Sequence, residues 1–408
     1  MNNEKYDASA KKRWAAVVLL MTMVLLGVFP LDVLLPSFPA LAKYFQTSPA
    51  DIAFSISVFA IGISISQLLI GPLSDAIGRK GLLLAGMAVS IIGATGCVLS
   101  TEYTWFLMFR VVQALGCGCF VLSQALVQDL FEGQERDQLR ILMVTASGIF
   151  ISVSPLLGSV LQQALDWPGS FFLFIALAAT VFLKACFFLE NERPVAFSRQ
   201  NIIHSYRRVC ADAGFIGFWL IAAITFTCHF SFIVVSPLIF MDQLHMSAYE
   251  FSLTLLLYGA AYIIGGVVAQ ILARRIPANT QIIVGLSLIF ASGLVMLLLS
   301  GLLGLSTLTV LVPMIICTAG TTIARPIATS KAMDVFPANA GTSASAGNTL
   351  VFIFGGLASA LINLSGSDLQ TTLALAFLLL STTALTLNAL INRRTTCRSQ
   401  LVRDGSQR

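Results

Sequence analysis

The chain has 408 residues, 57% of them hydrophobic and only 11% charged, with a formal net charge of +5. A soluble globular protein carries about 25% charged residues, so a mean hydropathy of +0.88 excludes most soluble enzymes. One bilayer crossing takes about 20 apolar residues, and the chain has room for about a dozen. In such a protein the positive balance reports orientation rather than nucleic-acid binding. The eight cysteines follow neither a disulfide framework nor a metal-ligand spacing. Lys5, Lys11, Lys12 and Arg13 precede the first apolar run as they would in a secretory signal. That run continues past Leu31 and is followed by many more, so an uncleaved first helix is expected.

Taken in order, apolar windows predict spans at 14–38, 52–73, 81–99, 104–126, 141–163, 168–189, 214–238, 251–273, 280–302, 306–325, 342–363 and 370–391. Each is apolar throughout, without the ten-residue alternation of barrel strands, so all twelve are expected to be helices. With the amino terminus in the cytoplasm, twenty of the 24 basic residues fall on the cytoplasmic side and Lys43 alone lies outside. This bias sets the orientation, with both termini cytoplasmic.

The predicted domains are a first six-helix bundle over 1–189, a basic cytoplasmic linker over 190–213, a second bundle over 214–392 and a basic tail over 393–408. Internal repetition supports the division. Gly71-Pro-Leu-Ser-Asp-Ala-Ile-Gly-Arg-Lys after span 2 aligns with Gly266-Val-Val-Ala-Gln-Ile-Leu-Ala-Arg-Arg after span 8. Two related halves rocking about a central site is a transporter architecture.

The first of these loops holds Gly71, Asp75, Gly78, Arg79 and Lys80. The glycines suit close packing and a sharp turn, and Asp75 can accept from a helix amino terminus or pair with a basic side chain. The pattern resembles the loop signature of the major facilitator superfamily. That resemblance implies an all-α membrane fold of twelve helices in two six-helix pseudo-repeats, with this loop locking the cytoplasmic gate. The amino terminus of span 11, near Gly341 and Ser343, is the expected partner.

Two ionisable residues, Asp32 in span 1 and Arg110 in span 4, lie inside predicted spans. A charge there costs at least ~2.5 kcal/mol, so each is a functional candidate. Both fall in the outer half of the bilayer. A carboxylate binds a proton more readily in dry surroundings and less readily beside a positive charge, so the two suit proton coupling. The other reading of Asp32 is a structural ion pair or a residue at the headgroups. Arg110-Val-Val-Gln-Ala-Leu-Gly resembles the R-x-x-Q-G-x-G pattern of drug:proton antiporters, with Ala114 in place of a glycine. Asp32-Val-Leu-Leu-Pro-Ser-Phe-Pro is similar to a segment of the Bcr/CflA branch of that superfamily. Leu189-Glu-Asn-Glu-Arg-Pro, Ser236-Pro-Leu-Ile-Phe and Gly341-Thr-Ser-Ala-Ser-Ala also look like that branch.

Ser154-Pro155-Leu-Leu-Gly158-Ser159 in span 5 is a weak form of an antiporter signature. Pro155 permits a kink and Gly158 the close approach of another helix; a plain packing kink is the alternative. Gln113, His229, Tyr258 and Arg325 are candidates for the substrate cavity. A lone histidine in an apolar helix is more often a hydrogen-bonded core residue, and Arg325 can also snorkel to the inner surface.

The resemblance implies proton-coupled efflux of a small organic molecule, of the chloramphenicol or bicyclomycin type, across a bacterial inner membrane. The energy source would be the proton gradient, with no cofactor, metal, enzyme chemistry or nucleic-acid partner, and a monomeric state is expected. The alternatives are export of an endogenous anionic metabolite such as a carboxylate siderophore, or proton-linked nutrient import.

Overall fold

The computed structural model describes residues 2–131, 133–188, 206–273, 275–336, 340–366 and 368–405. These residues form helices and short connections, with no strand among them. The long elements are α1 (Asn2–Asp32), α2 (Phe38–Tyr44), α3 (Pro49–Ile77), α4 (Arg79–Leu99), α5 (Tyr103–Cys117), α6 (Leu122–Leu130), α7 (Gly133–Leu165) and α8 (Pro168–Phe188). After the predicted linker, most of which lies outside the described residues, come α9 (Ala213–Pro237), α10 (Ala248–Ala273), α11 (Ala278–Leu303), α12 (Thr307–Asp334), α13 (Ala340–Leu364) and α14 (Leu369–Gly405).

Eleven helical stretches among the described residues are long and apolar enough to cross a bilayer, and Ile149–Leu165 within α7 is a shorter apolar helix. Together they are the twelve predicted spans. Their outer faces suit lipid: Leu257, Ile264, Leu298, Leu361 and Leu379 are all more than half exposed. A soluble surface rarely leaves such large apolar area uncovered.

The described chain divides into two compact units, one of residues 1–199 with Ile233–Ala260, the other of Gln200–Phe232 with Ala261–Arg408. Within the first, α4 packs on α5 and α8, while α1 packs on α7 and α8. Phe45, Phe106, Trp167 and Phe171 interlock at one end of this unit, with ring centroids between 4.9 and 6.1 Å apart. The second unit is built around α11, which packs on α12 and α14.

With lipid on one side and apolar helices on the other, helices are held together by close packing and by polar contacts that replace none in the solvent. Ser292 Oγ donates to the Pro313 carbonyl at 2.6 Å, and Gln370 Nε2 to the Thr309 carbonyl at 3.1 Å. Asn388 and Asn392 both donate to Asn279 Oδ1, at 3.1 and 2.6 Å. Ser48 with Asp51 and Ser306 with Thr309 close reciprocal caps at the starts of α3 and α12, satisfying backbone donors that the first turn leaves open.

Candidate functional site

The first span is not one continuous helix. After Asp32 the chain makes a turn, then the 3-10 turn Leu35–Ser37, then α2. Pro36 and Pro39 lack the N–H that an uninterrupted helix would need from them, and the last carbonyls of α1 are left seeking partners. Two neighbouring helices supply donors to carbonyls at the break, and a third packs against one of them. From α5, Arg110 Nη2 donates to the Pro30 carbonyl at 3.2 Å. From α8, Ser170 Oγ donates to the Val33 carbonyl at 3.5 Å. From α7, Gly158 lies so close beneath that same carbonyl that a Cβ would strike its oxygen.

Arg110 is 1% exposed. Its Nη1 donates to Gln113 Oε1 at 2.8 Å, and its guanidinium lies 4.0 Å from the Phe59 ring centre and 5.9 Å from that of Phe171. Cation–π contacts of this kind partly offset the loss of hydration. Nε has no hydrogen-bond partner among the described residues. A small cavity of about 10 Å³ opens beside this group, lined by Phe29, Pro30, Val33, Arg110, Gln113 and Ser170 among others. Asp32 is 6% exposed and makes no ion pair among the described residues. The structure therefore brings Arg110 to the backbone two residues before Asp32, at the same depth, and binds it to a carbonyl rather than to the carboxylate. Ala114, the departure from the antiporter pattern, directs its methyl at Gly62 of α3, where a side chain would collide with it.

Pro155 and Gly158 sit on α7, both buried. The Pro155 carbonyl accepts from Ser252 Oγ on α10 at 3.0 Å, while Gly158 faces the break in the first span. The two motif residues thus hold different neighbours. Tyr258, on α10, is buried in the same unit.

At the other end of α3, Gly71 lies in the last turns and Gly78 joins α3 to α4 with φ +89°, a conformation that L side chains rarely adopt. Its N–H donates to the Ser74 carbonyl at 3.1 Å. Arg79 Nη1 approaches Ser74 Oγ at 3.5 Å, and Lys80 Nζ donates to the Cys186 carbonyl of α8 at 2.9 Å. The Asp75 side chain lies outside the described residues, and Gly341 is the second residue of α13. Ser343 is buried on α13, its hydroxyl without a partner among the described residues.

The second unit holds the other candidates. His229 is buried on α9, its ring 5.6 Å from that of Tyr262 on α10. Arg325, half-buried on α12, lies over the Phe226 ring at 4.7 Å. Sequence reasoning missed Ser170, Phe59, Ser252 and Phe226. Single serines and phenylalanines within apolar spans carry no spacing signal, and their roles arise only from which helices touch. Among the described residues, no three histidine, cysteine, aspartate or glutamate side chains are grouped to hold a metal ion.

The sequence profile of the Major Facilitator Superfamily matches residues 17–360. The chain is 27% identical over 367 residues to a protein of Haemophilus influenzae named bicyclomycin resistance protein homolog, covering 85% of this chain and 88% of the relative. It is 25% identical over 328 residues to the multidrug resistance protein MdtL of Citrobacter koseri, covering 79% and 82%. It is also similar to an uncharacterized MFS-type transporter, YdgK, of Bacillus subtilis, at 26% over 267 residues, covering 64% and 66%. With two compact units of bilayer-length helices, a glycine-hinged loop after the second span and a buried arginine on the fourth, the chain belongs to the Major Facilitator Superfamily.

Proposed function

We propose that this transporter exports a small organic molecule in exchange for protons across a bacterial inner membrane, with both termini in the cytoplasm. The observation that carries this reading is a buried carboxylate, Asp32, at the end of α1, two residues from a backbone carbonyl held by the Arg110 guanidinium. A carboxylate in that position exchanges its proton as the helices around the break move, because its hydration and its distance from the guanidinium both change. In this reading Asp32 carries the proton and Arg110 biases its release. The loop from Gly71 to Lys80 closes the cytoplasmic side. The names of the relatives, multidrug and bicyclomycin resistance, favour drug-like cargo.

The test is Asp32→Asn, which preserves size and hydrogen bonding but cannot ionise. In inverted membrane vesicles, chloramphenicol or bicyclomycin added to the wild type should dissipate an imposed proton gradient. The variant should reach the membrane in equal amount and leave the gradient intact. Undiminished substrate-evoked proton flux in the variant sinks the assignment.

A further inference from the structure

In the second unit, charge and aromatic rings are arranged in a way that the proton-coupling reading does not use. Phe226 is the fourteenth of the 25 residues of α9, so Arg325, lying over its ring, is level with the middle of that span. Phe226 stacks on Phe230 at 5.3 Å with an interplanar angle of 16°, and meets Phe352 of α13 edge-on at 5.3 Å. Lys331 repeats the pattern two turns away, its Nζ 5.2 Å from the Phe218 ring. The rising α12 number meets the falling α9 number, so two cations lie along one phenylalanine stripe, from the Asp334 end of α12 to mid-span.

Snorkelling does not account for Arg325. It lies nine residues from the last residue of α12, about 13 Å along the axis, and helical side chains lean toward the amino-terminal end. Arg325 thus leans away from the Asp334 end and deeper into the span. Nor does it neutralise a protein carboxylate. The acidic residues of this unit are Asp212, Asp334, Asp368 and Asp404, all at span ends or beyond. Neither Arg325 nor Lys331 makes an ion pair among the described residues. His229, whose ring meets that of Tyr262 on α10, lies close enough to Arg325 to interact with it electrostatically, and a histidine offers no negative charge at neutral pH.

We propose that Arg325 and the rings of Phe226, Phe230 and Phe352 form an anion subsite within the second unit. It selects cargo with a carboxylate next to a planar apolar group, and Lys331 is the first cation met from the Asp334 end. The guanidinium offers a planar fork to the carboxylate, and the phenylalanine faces receive the flat remainder of the molecule. This deepens the export reading and rests on it only for the direction of transport.

The probes are 2-naphthoate and its uncharged isostere 2-naphthamide, titrated calorimetrically into the purified full-length protein in detergent without any gradient. The wild type should bind the carboxylate about tenfold more tightly than the amide, or better. Arg325→Gln should reduce this ratio to about one, and Phe226→Leu should weaken both ligands. If Arg325→Gln does not fold, Arg325→Met, also uncharged and of similar length, is held to the same criterion. Equal affinity for the two probes in the wild type overturns the proposal, as does the absence of binding or a preference that survives loss of the guanidinium. Because binding is read without proton flux, failure of this subsite and failure of the Asp32 coupling are separate results.

Discussion

The buried guanidinium of Arg110 does structural and electrostatic work at once. It supplies the hydrogen bond that the Pro30 carbonyl loses where α1 ends, and it holds a positive charge two residues from Asp32. Both terminal nitrogens of the fork are used, one on Gln113 and one on Pro30, a planar spread that a lysine ammonium does not reproduce. Replacing Arg110 by Met leaves the Pro30 carbonyl and Gln113 Oε1 buried without this donor, a loss of about 1–3 kcal/mol per group. Removal of a charge buried without an ion partner offsets part of this. Arg110→Met is therefore expected to melt within a few degrees of the wild type in detergent while losing proton-coupled export. Variants that melt early and transport normally when folded would make the residue purely structural. The sequence identified Arg110 from its charge in an apolar span; the bond to Pro30 was not legible, because it depends on how α5 crosses α1.

At the scale of elements, prolines and glycines decide where helices stop and where they touch. Three prolines within ten residues, Pro30, Pro36 and Pro39, convert one predicted span into α1, a 3-10 turn and α2. The apolar window over 14–38 shows the crossing but not the break, since hydropathy is blind to backbone hydrogen bonds. Gly78 is the opposite case, because a glycine between a helix and two basic residues announces a turn, and its φ of +89° requires one. Gly78→Ala forces a Cβ into this conformation, φ +89° with ψ 152°, at a cost of about 1–3 kcal/mol. Slower export with unchanged binding of 2-naphthamide is the expected result, measured as initial rates in vesicles against calorimetric affinity. Unaltered rates would remove the loop from the gating step. On α7 the Pro155 carbonyl accepts from Ser252 of α10, while Gly158 allows the close approach of the Val33 carbonyl that its lack of a side chain suggests.

For the whole molecule, the bias of basic residues predicts one orientation, with both termini in the cytoplasm. Cys210 reports on it directly. It is exposed at the end of the predicted linker, while the other cysteines described are buried or half-buried. Partial desolvation of the sulfur raises its thiol pKa above the usual value, so labelling by a membrane-impermeant maleimide should be slow at neutral pH and quicken as pH rises. Modification of Cys210, followed by peptide mass, is expected in inverted vesicles and not in intact cells. Labelling from outside intact cells would invert the topology and the assignment of every loop.

The sequence alone determined the membrane class, the number of spans and the chemically unusual residues Asp32, Arg110, Asp75 and Arg325. These properties follow from composition and from what a bilayer forbids, and neither needs a neighbour to be read. The tertiary structure alone decided that Arg110 binds a carbonyl of the broken first span, that Ser170 and Gly158 converge on the Val33 carbonyl, and that Arg325 rests on Phe226. Each is a contact between residues tens to more than a hundred positions apart, set by helix crossings that leave no periodic trace along the chain.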